Sequence, residues 1–141
     1  LLSTKLVWER WRDMSAQWSL DDAPVIGLLH NRPDRSFRVT ELVSVAASAI
    51  PFDSLWLTGG LVPVTKRYLR KHGYNLRRVA SHPKPSPDVI LEHISNQYKG
   101  DVVLFAYGNT QGFGQQLVDY FDRNGERAIN DLTSHRVRSS R

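Results

Sequence analysis

The feature that most constrains this chain is an alternation. Four short apolar runs recur along it: Val25-Ile26-Gly27-Leu28-Leu29, Ser54-Leu55-Trp56-Leu57-Thr58, Arg77-Arg78-Val79-Ala80 and Asp101-Val102-Val103-Leu104-Phe105-Ala106. Between them lie stretches with helical spacing and helix-boundary residues. Apolar runs of this length suit strands covered on both faces. Strands alternating with helices predict an α/β fold, an open, mostly parallel sheet flanked by helices and joined by right-handed crossovers. The Asp101–Ala106 run reads as the strongest strand, and Arg77–Ala80 as a weaker one near an edge.

The helix signals set the punctuation. Ser3 or Thr4 is expected to cap a first helix whose Leu6, Val7, Trp11 and Met14 share one face, broken by Asp21-Asp22-Ala23-Pro24. A second helix is expected over about 39–49, ended by Pro51, and a third over about 63–71, closed by Gly73. Ser86 followed by Pro87 reads as a cap and first helical position, with Gly100 ending that helix and a last helix running to about Asp122.

With 141 residues the chain is the size of one domain. No run reaches the roughly 20 apolar residues that span a bilayer. There is no cysteine, which removes disulfides, thiolate nucleophiles and Cys-based zinc sites. The charge of +5 favours anionic partners such as phosphates or polycarboxylates. Part of that excess sits in a basic tail, residues 125–141, which carries Arg136, Arg138 and Arg141 among serines and reads as flexible. The start Leu1-Leu2-Ser3, without Met, suggests a piece of a longer protein.

In open parallel sheets the loops at the carboxyl ends of the strands gather on the ligand-binding edge. Two of them stand out. The first, His30 to Arg38, places Arg32, Arg35 and Arg38 just after a buried strand. Arginine's planar fork grips phosphate or carboxylate through two hydrogen bonds and keeps its charge. Asp34 can orient one guanidinium, or simply pair with Arg35. The second, Gly108-Asn109-Thr110-Gln111-Gly112-Phe113-Gly114, joins a strand to a helix. Its glycines permit close backbone approach and the helix start offers N–H groups to an anion. It fits neither GxGxxG nor GxxxxGK[ST]. His72, His82 and His93 lack metal-ligand spacing and read as surface residues, Ser44 and Ser48 lack a base, and the four tryptophans read as core and contact surface. No metal site is expected.

These loops resemble the C-terminal region of poly-γ-glutamate synthase, the ligase subunit CapB or PgsB, itself similar to Mur ligases and folylpolyglutamate synthases. The likeness covers roughly residues 2–124, taken as one Mur-ligase-like domain, 1–124. It rests on Ser3-Thr4-Lys5-Leu6-Val7-Trp8, on Arg32, Asp34, Arg35 and Arg38 in an Arg-x-Asp-Arg-x-x-Arg loop, and on Gly108, Asn109 and Gly112. Gln111 and the His30-Asn31 pair depart from the family pattern. The resemblance implies a Mur-ligase C-terminal-domain fold and a share in ATP-dependent amide formation through an acyl phosphate. It implies Arg32, Asp34 and Arg35 as catalytic, and Arg38, Gly108, Asn109 and Gly112 as nucleotide- or substrate-binding. ATP and Mg would be bound mainly by a separate P-loop domain, so the chain alone would be inactive. Glutamate and poly-γ-glutamate would be the substrates, membrane subunits of the synthase the partners, and the cytoplasmic face of the membrane the location. No nucleic acid is expected. The alternatives are the matching domain of a folylpolyglutamate synthase or Mur ligase, and a non-catalytic anion- or nucleic-acid-binding module.

Overall fold

The computed structural model describes residues 2–82, 84–109 and 112–125, with backbone alone for 2–3, and the short strands at 129–131 and 136–137. Four parallel strands form its sheet: β1 (Val25–Asn31), β2 (Ser54–Gly59), β3 (Val79–His82) and β4 (Val103–Gly108). Five helices flank them: α1 (Leu2–Ser15), α2 (Val39–Ser44), α3 (Val62–Lys71), α4 (Pro87–Gln97) and α5 (Phe113–Asn124). The α/β expectation therefore holds.

Alternating residues of the central strands build two cores, because successive side chains of a strand point to opposite faces. Leu29, Leu55 and Leu57 join Trp8, Leu42, Val43 and Leu69 from α1, α2 and α3. Ile26, Leu28 and Trp56 join Ile90 and Ile94 of α4 and Phe113 and Leu117 of α5. Burial on both faces explains why β1 and β2 read as unbroken apolar runs.

The strand order is β3-β2-β1-β4. From β1 the chain builds outward through β2 to β3, then returns past β1 to lay β4 on its far side. The direction of winding reverses between β1 and β4. In such sheets the reversal opens a crevice at the carboxyl ends of the two strands, where the following helices leave on opposite faces.

Several local expectations are corrected. β4 spans Val103–Gly108 and, apolar as it is, lies at an edge and is only partly buried. Strand order, not composition, decides which strand is central. β3 begins at Val79, because Asn75 accepts a hydrogen bond from the Arg77 amide and winds 76–78 into a 3-10 turn. Helical geometry starts by Leu2, so neither Ser3 nor Thr4 is the cap of α1. The buried face of α1 is set by Trp8, 6% exposed, while Leu6 and Val7 stand 55% and 59% exposed. Trp8 meets the ring of Phe105 on β4 edge-on at 5.7 Å, a long-range contact that fixes the phase of the helix. The 39–49 helix divides into α2 and a wider π turn over Val45–Ala49. α4 ends at Gln97, before Gly100, and α5 runs to Asn124. Ser86 does cap α4, accepting from the Val89 amide at 3.4 Å.

Of the basic tail, Ile129–Asp131 (β5) and Arg136–Val137 (β6) pair antiparallel. The flexibility expected for the remainder of the tail falls outside the described residues. Among the described residues no helix is long and apolar enough to cross a membrane.

Candidate functional site at the crevice between β1 and β4

Both loops singled out by sequence flank this crevice. β1 and β4 run in register from Val25↔Val103 to His30↔Gly108. The arginine loop leaves two residues after His30, and the glycine loop leaves at Gly108 itself. Asn109 stitches the two strand ends together: its amide donates to the His30 carbonyl at 3.0 Å, and its Nδ2 to the same oxygen at 3.4 Å. Gly108 has φ +106, and a Cβ there would lie 2.5 Å from that carbonyl. Glycine is required by the chain path at this point, whatever ligand it meets.

The sequence reading ended β1 at Leu29 and so placed His30 and Asn31 in a loop. Both belong to the strand, and both are anchored. His30 Nδ1 and Thr58 Oγ1 are 2.9 Å apart, and the imidazole packs against Phe113 at the start of α5, centroids 5.8 Å apart. Asn31, only 3% exposed, donates through Nδ2 to Thr65 Oγ1 at 3.0 Å. Thr65 in turn donates to the Leu61 carbonyl at 2.7 Å. His30, Leu28, Tyr107, Gly108, Asn109 and Phe113 line a cavity of about 110 Å³ at the crevice floor. The Tyr107 hydroxyl is committed to the Leu42 carbonyl at 3.2 Å, and burial raises its pKa far above the ordinary phenol value. It stays a neutral structural group. Polar residues closing buried strands were the available signal for His30, Asn31 and Thr58, which sequence reasoning did not place in the site.

The arginine loop leaves the end of β1 toward the end of β2. Pro33–Arg38 forms 3-10 turns interrupted at Arg35, with φ −123 and ψ 42. Pro33 lies over the turn after β2: a Cβ on Gly60 would come 2.5 Å from Pro33 Cγ. Arg32 grips Asp34 with both faces of its fork, Nε to Oδ1 at 3.0 Å and Nη2 to Oδ2 at 2.6 Å. Asp34 thus orients Arg32 rather than Arg35. The hydrogen bonds from Arg32 hold the Asp34 carboxyl below the usual carboxylate range, with the charges of Arg32 and Arg35 adding to the effect against a desolvation penalty. Among the described residues neither Arg35 nor Arg38 has an ion-pair partner. Arg35 is exposed and Arg38 half-buried. Phe37 between them is 71% exposed.

Gly112, with φ +72 and ψ −117, turns the second loop into α5 in a conformation open to glycine alone. Its amide and those that follow form the start of a twelve-residue helix, the end that attracts anions. Thr110 and Gln111 lie outside the described residues. The structure therefore brings together the strand ends, Asn109, Gly108 and the root of the arginine loop. It shows no hydrogen bond, among the described residues, between Arg32–Arg38 and Gly108–Gly112.

Residues 1–124 match the family described as poly-gamma-glutamate synthase CapB C-terminal domain. The chain belongs to that family. The match covers every strand and helix of the four-stranded sheet, and membership ties this CapB-type domain to poly-γ-glutamate synthesis. No curated protein and no solved structure matches the chain.

Proposed function

We propose that this CapB-type domain closes over the nucleotide and the growing chain in an ATP-dependent amide ligase. The carrying observation is that the arginine loop and the glycine turn flank the one crevice created by the reversal of strand order. The donor set suits anions. Arg35 and Arg38 are cations without acidic partners among the described residues, the start of α5 offers N–H groups, and Asp34 is already committed to Arg32.

In the proposed reaction a γ-carboxylate oxygen attacks the terminal phosphorus of ATP, forming an acyl phosphate and releasing ADP. The amine of the next glutamate then adds to the acyl carbon, and the tetrahedral intermediate expels phosphate. Both steps concentrate negative charge, so fixed cations and oriented N–H groups lower their barriers. Arg35 faces phosphate or an incoming carboxylate, with Arg32 held by Asp34 beside it and Arg38 at the root of α2. Asn109 and the Gly108 and Gly112 backbone contact nucleotide or amino acid. The chain has no GxxxxGK[ST] sequence, so the P-loop comes from another domain and the chain alone does not turn over ATP. Among the described residues no group of three or more His, Cys, Asp or Glu could hold a metal. In this reading Mg²⁺ accompanying ATP is held by phosphate oxygens and by that other domain. The exposed Phe37 ring gives the arginine loop an apolar contact for a facing domain. In the cell we place the assembled enzyme, with membrane subunits of the synthase, at the cytoplasmic face of the membrane.

The test is stoichiometric. Full-length enzyme given glutamate and ATP should release one ADP and one phosphate per γ-amide bond. Release of AMP and pyrophosphate would replace the acyl phosphate with an acyl adenylate and overturn the reading.

A further inference from the structure

Two histidines that the crevice does not use converge at the carboxyl end of β3, the edge strand opposite β4. His82 closes β3 and His93 lies on α4, eleven residues later. His82 Nε2 and His93 Nδ1 are 3.2 Å apart, with ring centroids at 4.8 Å and planes at 66°. Both rings rest on Trp56. His82 stacks on the indole at 5.4 Å and 13°, and His93 meets it edge-on at 5.7 Å and 61°. Trp56 is itself buried between β2, α4 and α5, which makes it a rigid backstop. His82 is half-buried and His93 exposed, so the paired nitrogens lie at the surface.

One nitrogen donating to the other accounts for a single hydrogen bond. The same spacing has a second chemical meaning. Zinc binds imidazole nitrogen at about 2.0–2.1 Å, and two such bonds meeting at roughly 100° put their nitrogens about 3.2 Å apart. Nickel and copper share the preference for imidazole, whereas Mg²⁺ prefers oxygen. Among the described residues no third His, Cys, Asp or Glu completes a cluster. Water or an exogenous ligand would fill the remaining positions. We propose that His82 and His93 form a two-histidine site for a borderline transition-metal ion such as Zn²⁺, Ni²⁺ or Cu²⁺, with Trp56 setting the angle between the rings. The site stands at the carboxyl end of β3, where Thr58↔His82 continues the row that begins at His30↔Thr58. A carboxylate or phosphate on the metal's open positions would therefore approach from the same sheet edge as the crevice.

Trp56 supplies the readout. NiCl2 added to the chain should quench tryptophan fluorescence saturably, and MgCl2 should not. His82→Ala and His93→Ala should each weaken the Ni²⁺ effect by at least roughly tenfold, since losing a ligand costs no less than losing its supporting partner. His72→Ala, at the C-cap of α3, whose Leu69 packs into the core on the other face of the sheet from Trp56, should leave it unchanged. His93 is exposed on a helix surface, so His93→Gln gives a second variant whose fold is secured, checked by far-UV circular dichroism. Absence of saturation up to about millimolar Ni²⁺, or equal quenching in the histidine variants, leaves the pair as a plain hydrogen bond and overturns the site.

Discussion

Gly108→Ala is the perturbation whose cost can be worked most directly from the structure. At φ +106 an alanine carries backbone strain of about 1–2 kcal/mol. Its Cβ would also sit 2.5 Å from the His30 carbonyl and 3.2 Å from the His30 nitrogen, both backbone atoms that cannot swing aside. The top of the β1–β4 ladder must open, which weakens the Asn109-to-His30 hydrogen bond at a cost of about 1–2 kcal/mol. The sum is about 2–4 kcal/mol, or a fall in Tm of roughly 8–16 °C at about 4 °C per kcal/mol for a domain of this size. Gly73→Ala provides the comparison, because Gly73 has φ +84 with nothing within 4 Å of a Cβ. It should cost the strain alone. Urea unfolding followed by circular dichroism should show a larger fall in midpoint for Gly108→Ala at unchanged slope. Equal destabilisation of the two variants would refute the close contact between the strand ends.

Three further outcomes follow from the same geometry. Asn31→Ala removes the donor to Thr65 inside the core and should cost about 1–3 kcal/mol in chemical unfolding, whereas a change below a few tenths would mean the bond is not made. Asp34 has its pKa lowered in the folded chain, chiefly by the hydrogen bonds from Arg32, so its pair with Arg32 should be lost at a lower pH than that at which an unpaired aspartate protonates. A carbon-detected NMR titration of the Asp34 carboxyl should move back to the ordinary value in Arg32→Ala; an identical midpoint would separate the two residues. Gly60→Ala drives a methyl into Pro33 and should displace the arginine loop, lowering ligase kcat in the full-length enzyme while leaving the sheet folded; unchanged kcat would show that the loop's seat on this turn is irrelevant.

Much of the fold was legible because parallel strands advertise themselves. β1 and β2 bury both faces, so Val25–Leu29 and Ser54–Thr58 carry no polar alternation. Ser86-Pro87 and Gly73 are local signals with local causes, and both appear where expected. What failed depended on distant partners. The phase of α1 is set by Trp8 against Phe105 of β4, which no helical window around Leu6 and Val7 contains. β4 is as apolar as a central strand yet lies at an edge, since strand order is written in the crossovers. At the site, the two loops could be found as strand-to-helix junctions rich in arginine or glycine. That both start from adjacent strand ends required the order β3-β2-β1-β4. His82 and His93 show the limit most clearly, because a strand end and a helix face come together only once α4 packs on Trp56.

The central claim is that the arginine loop supplies charge to an amide-forming reaction. Its most direct measurement is the rate of γ-glutamyl amide formation by full-length enzyme carrying Arg35→Ala, beside Arg77→Ala as an exposed basic residue in the 3-10 turn that precedes β3, at the amino end of the sheet. Loss of one oriented donor at a charge-developing centre lowers kcat by about 10²–10³-fold, and Arg35→Ala should fall in that range while Arg77→Ala stays near wild type. Equal rates in the two variants would contradict a catalytic role for the loop.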